Sequence, residues 1–109
     1  MQRFCLALDL VDDPALIAEY KDHHTRVSPE IKKSITDSGI TVMDVYLVGN
    51  RLFMIMETDD EFTFDRKNER DSQNEKVAVW ENLMWKYQQA LPFSKPGEKW
   101  VLMEQIFEL

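Results

Sequence analysis

The chain has two histidines, His23 and His24, and both close the stretch Ala18-Glu19-Tyr20-Lys21-Asp22-His23-His24. Tyr20 and His24 stand at i and i+4, so on a helix they share one face about one turn apart. A phenol and an imidazole held side by side can pass protons to and from a ligand. Histidine suits this because its unperturbed pKa lets it exchange protons near neutral pH. The same spacing also arises when an amphipathic helix sets an aromatic and an imidazole at its core boundary. His23 faces another way and is expected in solvent.

A second group of aromatics lies at Trp80, Trp85 and Tyr87. Trp80 and Tyr87 fall on the apolar stripe Val77, Trp80, Met84, Tyr87, Leu91, whose steps of three and four mark an amphipathic helix. Core packing is their expected role. Trp85 lies off that stripe, so it is either exposed or turned into a cleft. Carbohydrate sites use such aromatic faces against C–H surfaces, with polar groups fixing orientation.

Other chemistries find no matching residues. Asp22, His23 and His24 are too close in sequence to chelate one ion from a regular helix, no second cluster of histidine and carboxylate exists, and Cys5 is alone, so no metal is expected. Gly39, Gly49 and Gly97 occur singly, which leaves no glycine-rich phosphate loop. No Gly-x-Ser-x-Gly or cysteine–histidine pattern suggests acyl transfer. No cofactor is expected, and Met43, Met54, Met56, Met84 and Met103 read as adaptable core fillers.

The elements that must position these groups follow from hydrophobic period and punctuation. Residues 3–10 read as a strand. Asp12-Asp13-Pro14 starts a helix carrying Leu16, Ile17, Tyr20 and His24. Ser28-Pro29-Glu30 starts a second helix with Ile31 and Ile35, and Gly39 stops it. Residues 40–48 and 51–57 read as strands joined by the hairpin turn Gly49-Asn50. Asp59-Asp60 opens a short helix with Phe62 and Phe64, and residues 65–76, which hold no apolar side chain, read as a solvated helix end or loop. The stripe from Val77 to Leu91 is a helix closed by Pro92 and Pro96-Gly97, and residues 99–107 form a last strand.

This order implies an α+β fold, with a four-stranded antiparallel sheet and helices on one face. Strands 3–10 and 51–57 are apolar toward both faces, so the face without helices needs a cover, and a face-to-face homodimer supplies one. The length gives one domain, residues 1–109. The net charge of −7 argues against nucleic acid or anionic membrane as a partner. No apolar run approaches the roughly 20 residues that span a bilayer, and the apolar N-terminus is broken by Asp9 without a cleavage site. With one unpaired cysteine, a cytoplasmic location is expected.

Four stretches together resemble the L-rhamnose mutarotase family. They are Glu19-Tyr20-x-x-x-His24 followed by Pro29-Glu30; Tyr46-Leu47 leading through the hairpin to Leu52-Phe53; Trp85-Lys86-Tyr87 ahead of Pro92; and Met103-Glu104-Gln105-Ile106-Phe107. The resemblance implies a ferredoxin-like dimeric α/β sandwich that interconverts the α and β anomers of a 6-deoxy-L-sugar without cofactor or metal. It implies His24 as the proton donor, with Tyr20 and Trp85 at the sugar. Two positions depart from the family pattern: Met84 replaces the first of a tandem Trp pair, and Met43 replaces a tyrosine on the second strand. The charged stretch 65–76 is longer than the family's. The sequence leaves L-rhamnose and L-fucose both open as the monosaccharide. Asp44 and Glu104 are candidates for the complementary base. A dimeric ferredoxin-like monooxygenase and a non-catalytic sugar-binding module are the alternatives on the same architecture.

Overall fold

Strand β1 (Gln2–Leu10) is the strand on which the fold is assembled, paired on both edges. In the computed structural model, which describes residues 1–109, it runs antiparallel to β3 (Arg51–Thr58) from Gln2↔Thr58 to Asp9↔Arg51. Strand β2 (Ile40–Val48) pairs with the other edge of β3, and the Gly49-Asn50 turn joins them as expected. Asn50 clasps this hairpin to β1: its Nδ2 donates to the Leu10 carbonyl at 3.0 Å, and its own carbonyl accepts from the Leu10 N–H at 2.7 Å. The strand order β2-β3-β1-β4 is that of a ferredoxin-like sheet.

Two helices, α1 (Pro14–His24) and α2 (Pro29–Asp37), connect β1 to β2, and α3 (Phe64–Ser72) and α4 (Glu75–Trp85) follow β3. Each begins on a side chain that accepts backbone N–H bonds: Asp13, Ser28, Thr63 and Asn74. All four pack on one sheet face. Leu6, Ile40, Met54, Met56 and Phe62 form one core cluster there, and Leu10, Tyr20, Leu52, Met84 and Tyr87 form a second. The opposite face, by register, presents Cys5 and Ala7 of β1, Phe53 and Ile55 of β3, and Val42, Asp44 and Tyr46 of β2. Tyr46 and Val42 are exposed, and no element covers this face.

The structure corrects the expected elements at three places. The helix begun at Val77 ends at Trp85 rather than running to Leu91, and the chain enters a short strand, β4 (Gln88–Gln89). The reason is competition for backbone partners: the Tyr87 carbonyl accepts from the Val11 N–H at 2.8 Å, and Gln88 pairs with Leu10. The last strand, expected over 99–107, shrinks to β5 (Val101–Leu102), so the sheet has five strands, not four, with β4 and β5 sharing the free edge of β1. Beyond the Met103 N–H bond to the Cys5 carbonyl, the apolar Ile106 and Phe107 extend into solvent. Finally, the helix expected from Asp59-Asp60 begins at Phe64, because the Asp59 backbone N–H is bonded to the Gly39 carbonyl at 2.9 Å and Thr63 supplies the cap. Most of the charged stretch 65–76 is helical, in α3 and the first turn of α4.

Gly39 also lies close to the Asp59 side chain. It adopts φ of +100°, and a Cβ there would lie 2.8 Å from the Asp59 carboxylate oxygens. Gly49 has a positive φ of +59° but open space around it. Gly39→Ala is therefore expected to lower unfolding stability by roughly 2–3 kcal/mol and Gly49→Ala by about 1. Urea unfolding of both variants checks the order; equal losses would show that the Asp59 approach carries no cost.

Candidate active site

Helix α1 is fastened to the core by Tyr20, which is 4 % exposed and packs among Leu10, Leu52, Met84 and Tyr87. The helical period then places His24 one turn on. Its ring lies over the Tyr20 ring, with centroids 4.4 Å apart. The expected pairing of Tyr20 with His24 is thus present, with Tyr20 buried and His24 exposed. The two do not meet hydroxyl to imidazole. Instead, His24 Nδ1 lies 2.8 Å from the Tyr20 backbone carbonyl.

That contact sets the imidazole's chemistry. A carbonyl oxygen only accepts, so Nδ1 must carry the proton and donate it. Nε2 is left as the open nitrogen: a base in the neutral ring, an acid in the protonated one. Trp80 packs against the same imidazole, with centroids 5.5 Å apart and the rings near perpendicular. His24 is therefore bracketed by Tyr20 and Trp80, its tautomer set and its second nitrogen free.

Beneath it lies a network that the helical period did not reveal. His23 is half-buried rather than solvent-directed: its Nε2 is 3.1 Å from the Tyr87 hydroxyl, which in turn donates to Glu19 Oε1 at 3.3 Å. Since the carboxylate only accepts, Tyr87 spends its proton on Glu19 and accepts one from His23. The Tyr20 hydroxyl has one protein partner, Gln88, whose Nε2 donates at 3.5 Å. Burial raises the Tyr20 pKa above its usual 10.0; the Gln88 bond lowers it and the Glu81 charge raises it by less.

Trp85 is 40 % exposed, and no aromatic contact joins it to Tyr20 or His24. Lys99 Nζ sits 4.6 Å from the centre of its ring and is also bonded to Glu81 Oε2 at 2.6 Å. The protomer thus brings Trp80, not Trp85, to His24. Met84 is buried against Tyr20, whereas Met43 packs on the other core cluster. Asp44 projects from the face opposite the helices, and Glu104 lies in the exposed segment after β5, so neither adjoins His24 within one protomer. The sequence carried a usable sign for Trp80, since it is a large aromatic on the α4 face that meets α1. It carried none for Gln88, a glutamine in a strand too short to show a period.

A ferredoxin-like α+β fold with one exposed, tautomer-locked histidine flanked by aromatic rings defines a small protein able to do proton-transfer chemistry on a compact ligand. The comparisons with known proteins give that class its family. The family model for L-rhamnose mutarotase matches residues 3–109, and the chain belongs to that family. It is 42 % identical to an L-fucose mutarotase of Xanthomonas campestris pv. campestris, across 100 % of this chain and 89 % of that protein. Its fold is shared with an L-rhamnose mutarotase from Formosa agariphila (TM-score 0.74, 20 % identity, covering 100 % and 99 % of the two chains). It is also shared with a dimeric ferredoxin-like protein from an uncultured marine organism (TM-score 0.56, 15 % identity, 85 % and 95 %). The protein is accordingly a carbohydrate isomerase of the mutarotase type.

The burial of Tyr20 has a measurable sign. Its folded-state pKa lies above the unfolded value of 10.0, so its contribution to stability is complete below that pH and is lost as pH rises through the folded value. An ultraviolet titration is expected to show one tyrosine ionising late, together with alkaline unfolding. Tyr20→Phe should remove that late step; its survival would assign the step to another tyrosine.

Proposed function

We propose that the protein interconverts the anomers of a 6-deoxy-L-hexose, with His24 as the group that moves the proton. The observation that carries this reading is the bond from Nδ1 to the Tyr20 carbonyl, which leaves Nε2 free on the exposed side of α1. Protonated Nε2 gives its proton to the ring oxygen of the sugar. The bond from that oxygen to the anomeric carbon breaks as the anomeric hydroxyl loses its proton to water, giving the open aldehyde. Rotation about C1–C2 presents the other carbonyl face. Closure reverses the steps and returns the proton to Nε2, so one imidazole serves as acid on opening and base on closing. A positioned acid–base is typically worth about 10²–10⁴-fold, enough for a reaction that already proceeds slowly in water.

Tyr20 is proposed to contact the sugar through its hydroxyl, and Trp85 to offer an aromatic face to the ring or its methyl group. The Trp85 assignment rests on the family resemblance, and Lys99 would leave that ring when sugar binds. L-Fucose is the first candidate substrate, because a relative matching this chain along its full length at 42 % identity bears that activity in its name. L-Rhamnose is the second, from the family model. Methionine at 84, packed on Tyr20 where the family resemblance expects an aromatic, favours a substrate other than the family's namesake.

The working form is proposed to be a homodimer joined through the uncovered sheet face. Cys5, Ala7, Phe53 and Ile55 make the centre of that face apolar, with Tyr46 exposed beside them, and an apolar face of this kind is an association surface. The free thiol of Cys5 fits a reducing, cytoplasmic location.

Saturation-transfer NMR on L-fucose and L-rhamnose tests the reaction. His24→Ala is expected to lower enzymatic anomer exchange by about 10²–10⁴-fold while the protein stays folded, since His24 lies outside both core clusters. Unchanged exchange would remove His24 from the mechanism. Sedimentation equilibrium at micromolar concentration is expected to give a dimer, and a monomer there would overturn the face-to-face assembly.

A further inference from the structure

Gln88 is 7 % exposed, and its Oε1 is the one buried side-chain polar atom in the protein without a hydrogen-bond partner. Such atoms are rare in folded proteins because each forfeits its bonds to water. This one sits beside Tyr20, whose hydroxyl accepts from Gln88 Nε2 and has no protein acceptor for its own proton. Two adjacent groups therefore stand open, a donor on Tyr20 and an acceptor on Gln88. Exchanging the oxygen and nitrogen of the amide does not alter the count: Tyr20 would then donate to Oε1, leaving Nε2 as an open donor and the phenol oxygen as an open acceptor. Counting the second N–H of the amide, the pair in either orientation lacks one donor and two acceptors. A single hydroxyl group, with one O–H and two lone pairs, matches that set.

We infer that Gln88 is a specificity residue of the sugar site, and that the Tyr20–Gln88 pair is completed by one hydroxyl of the substrate. This deepens the proposed mutarotase reading and rests on it. The location supports it: the Tyr20 ring that ends in this pair carries the His24 imidazole on its face. The rings packed on Tyr20 from the solvent side are His24 and, beyond it, Trp80. An apolar pocket discriminates weakly between sugars that differ by one hydroxyl. A site that must hydrogen-bond that hydroxyl rejects the analogue lacking it, because the site's own buried groups then stay unpaired.

The test compares anomer exchange of L-fucose and L-rhamnose, and of the monodeoxy derivatives of the better substrate, by wild type and Gln88→Met, which keeps chain length and removes the amide. Wild type is expected to process one monodeoxy derivative at least ~10-fold more slowly than the parent sugar. Gln88→Met should close that gap by slowing the parent while leaving this derivative unchanged. Equal rates on all derivatives with wild type, or an equal loss on parent and derivatives in the variant, would overturn the inference and reduce Gln88 to a structural role or the partner of an immobilised water. If wild type exchanges no aldose at all, the proposed reaction fails and the inference falls with it. Should Gln88→Met not fold, Tyr20→Phe removes the other half of the pair and must show the same loss of discrimination.

Discussion

The burial of Tyr20 is the constraint on which the site depends. Its ring fills the space between Leu10 and Leu52 of the sheet and Met84 of α4, and so ties α1 to the core. Its backbone carbonyl holds the His24 ring by Nδ1, and its side chain supports that ring from below. One residue therefore fixes helix position, imidazole orientation and tautomer together. The arrangement places an open imidazole nitrogen on an exposed residue while the Tyr20 ring that supports it stays in the interior, where packing restricts its motion.

Much of this was legible in the sequence because it rests on local rules. The starts of α1 and α2 follow from Asp13-Pro14 and Ser28-Pro29, and the β2–β3 hairpin from Gly49-Asn50. The i, i+4 spacing alone puts Tyr20 and His24 on one helix face. The misreadings arose where distant partners decide. The stripe Val77 to Leu91 has helical spacing throughout, yet the helix stops at Trp85 because β1 and the residue after it offer backbone partners to Tyr87 and Gln88. Tyr87 and Leu91 are buried as their types suggest, but from beyond the helix rather than along it. His23 looked like a solvent-facing neighbour until the turn after α4 brought the Tyr87 hydroxyl beneath it.

The two sheet faces carry different information. The covered face holds both core clusters and the aromatic surroundings of His24. The uncovered face is apolar at its centre. Its one buried charge, Asp9, is held by Arg51 through two hydrogen bonds, 2.8 and 3.2 Å long, at the hairpin end. Pairing satisfies that carboxylate without asking the apolar region to accept a charge. The proposed proton carrier and the proposed association surface thus lie on opposite sides of one sheet.

The locked imidazole is tested most directly by long-range 1H–15N correlation spectra of the protein labelled at histidine, read above the pH at which His24 deprotonates and assigned with His24→Ala. The neutral ring should show the Nδ1–H tautomer, with Nε2 carrying the shift of an unprotonated nitrogen, and that Nε2 signal should move when a 6-deoxy-L-sugar is added. A neutral His24 that is predominantly protonated at Nε2 would contradict the bond to the Tyr20 carbonyl, because the unprotonated nitrogen would then be Nδ1, the one placed against that carbonyl rather than the open one.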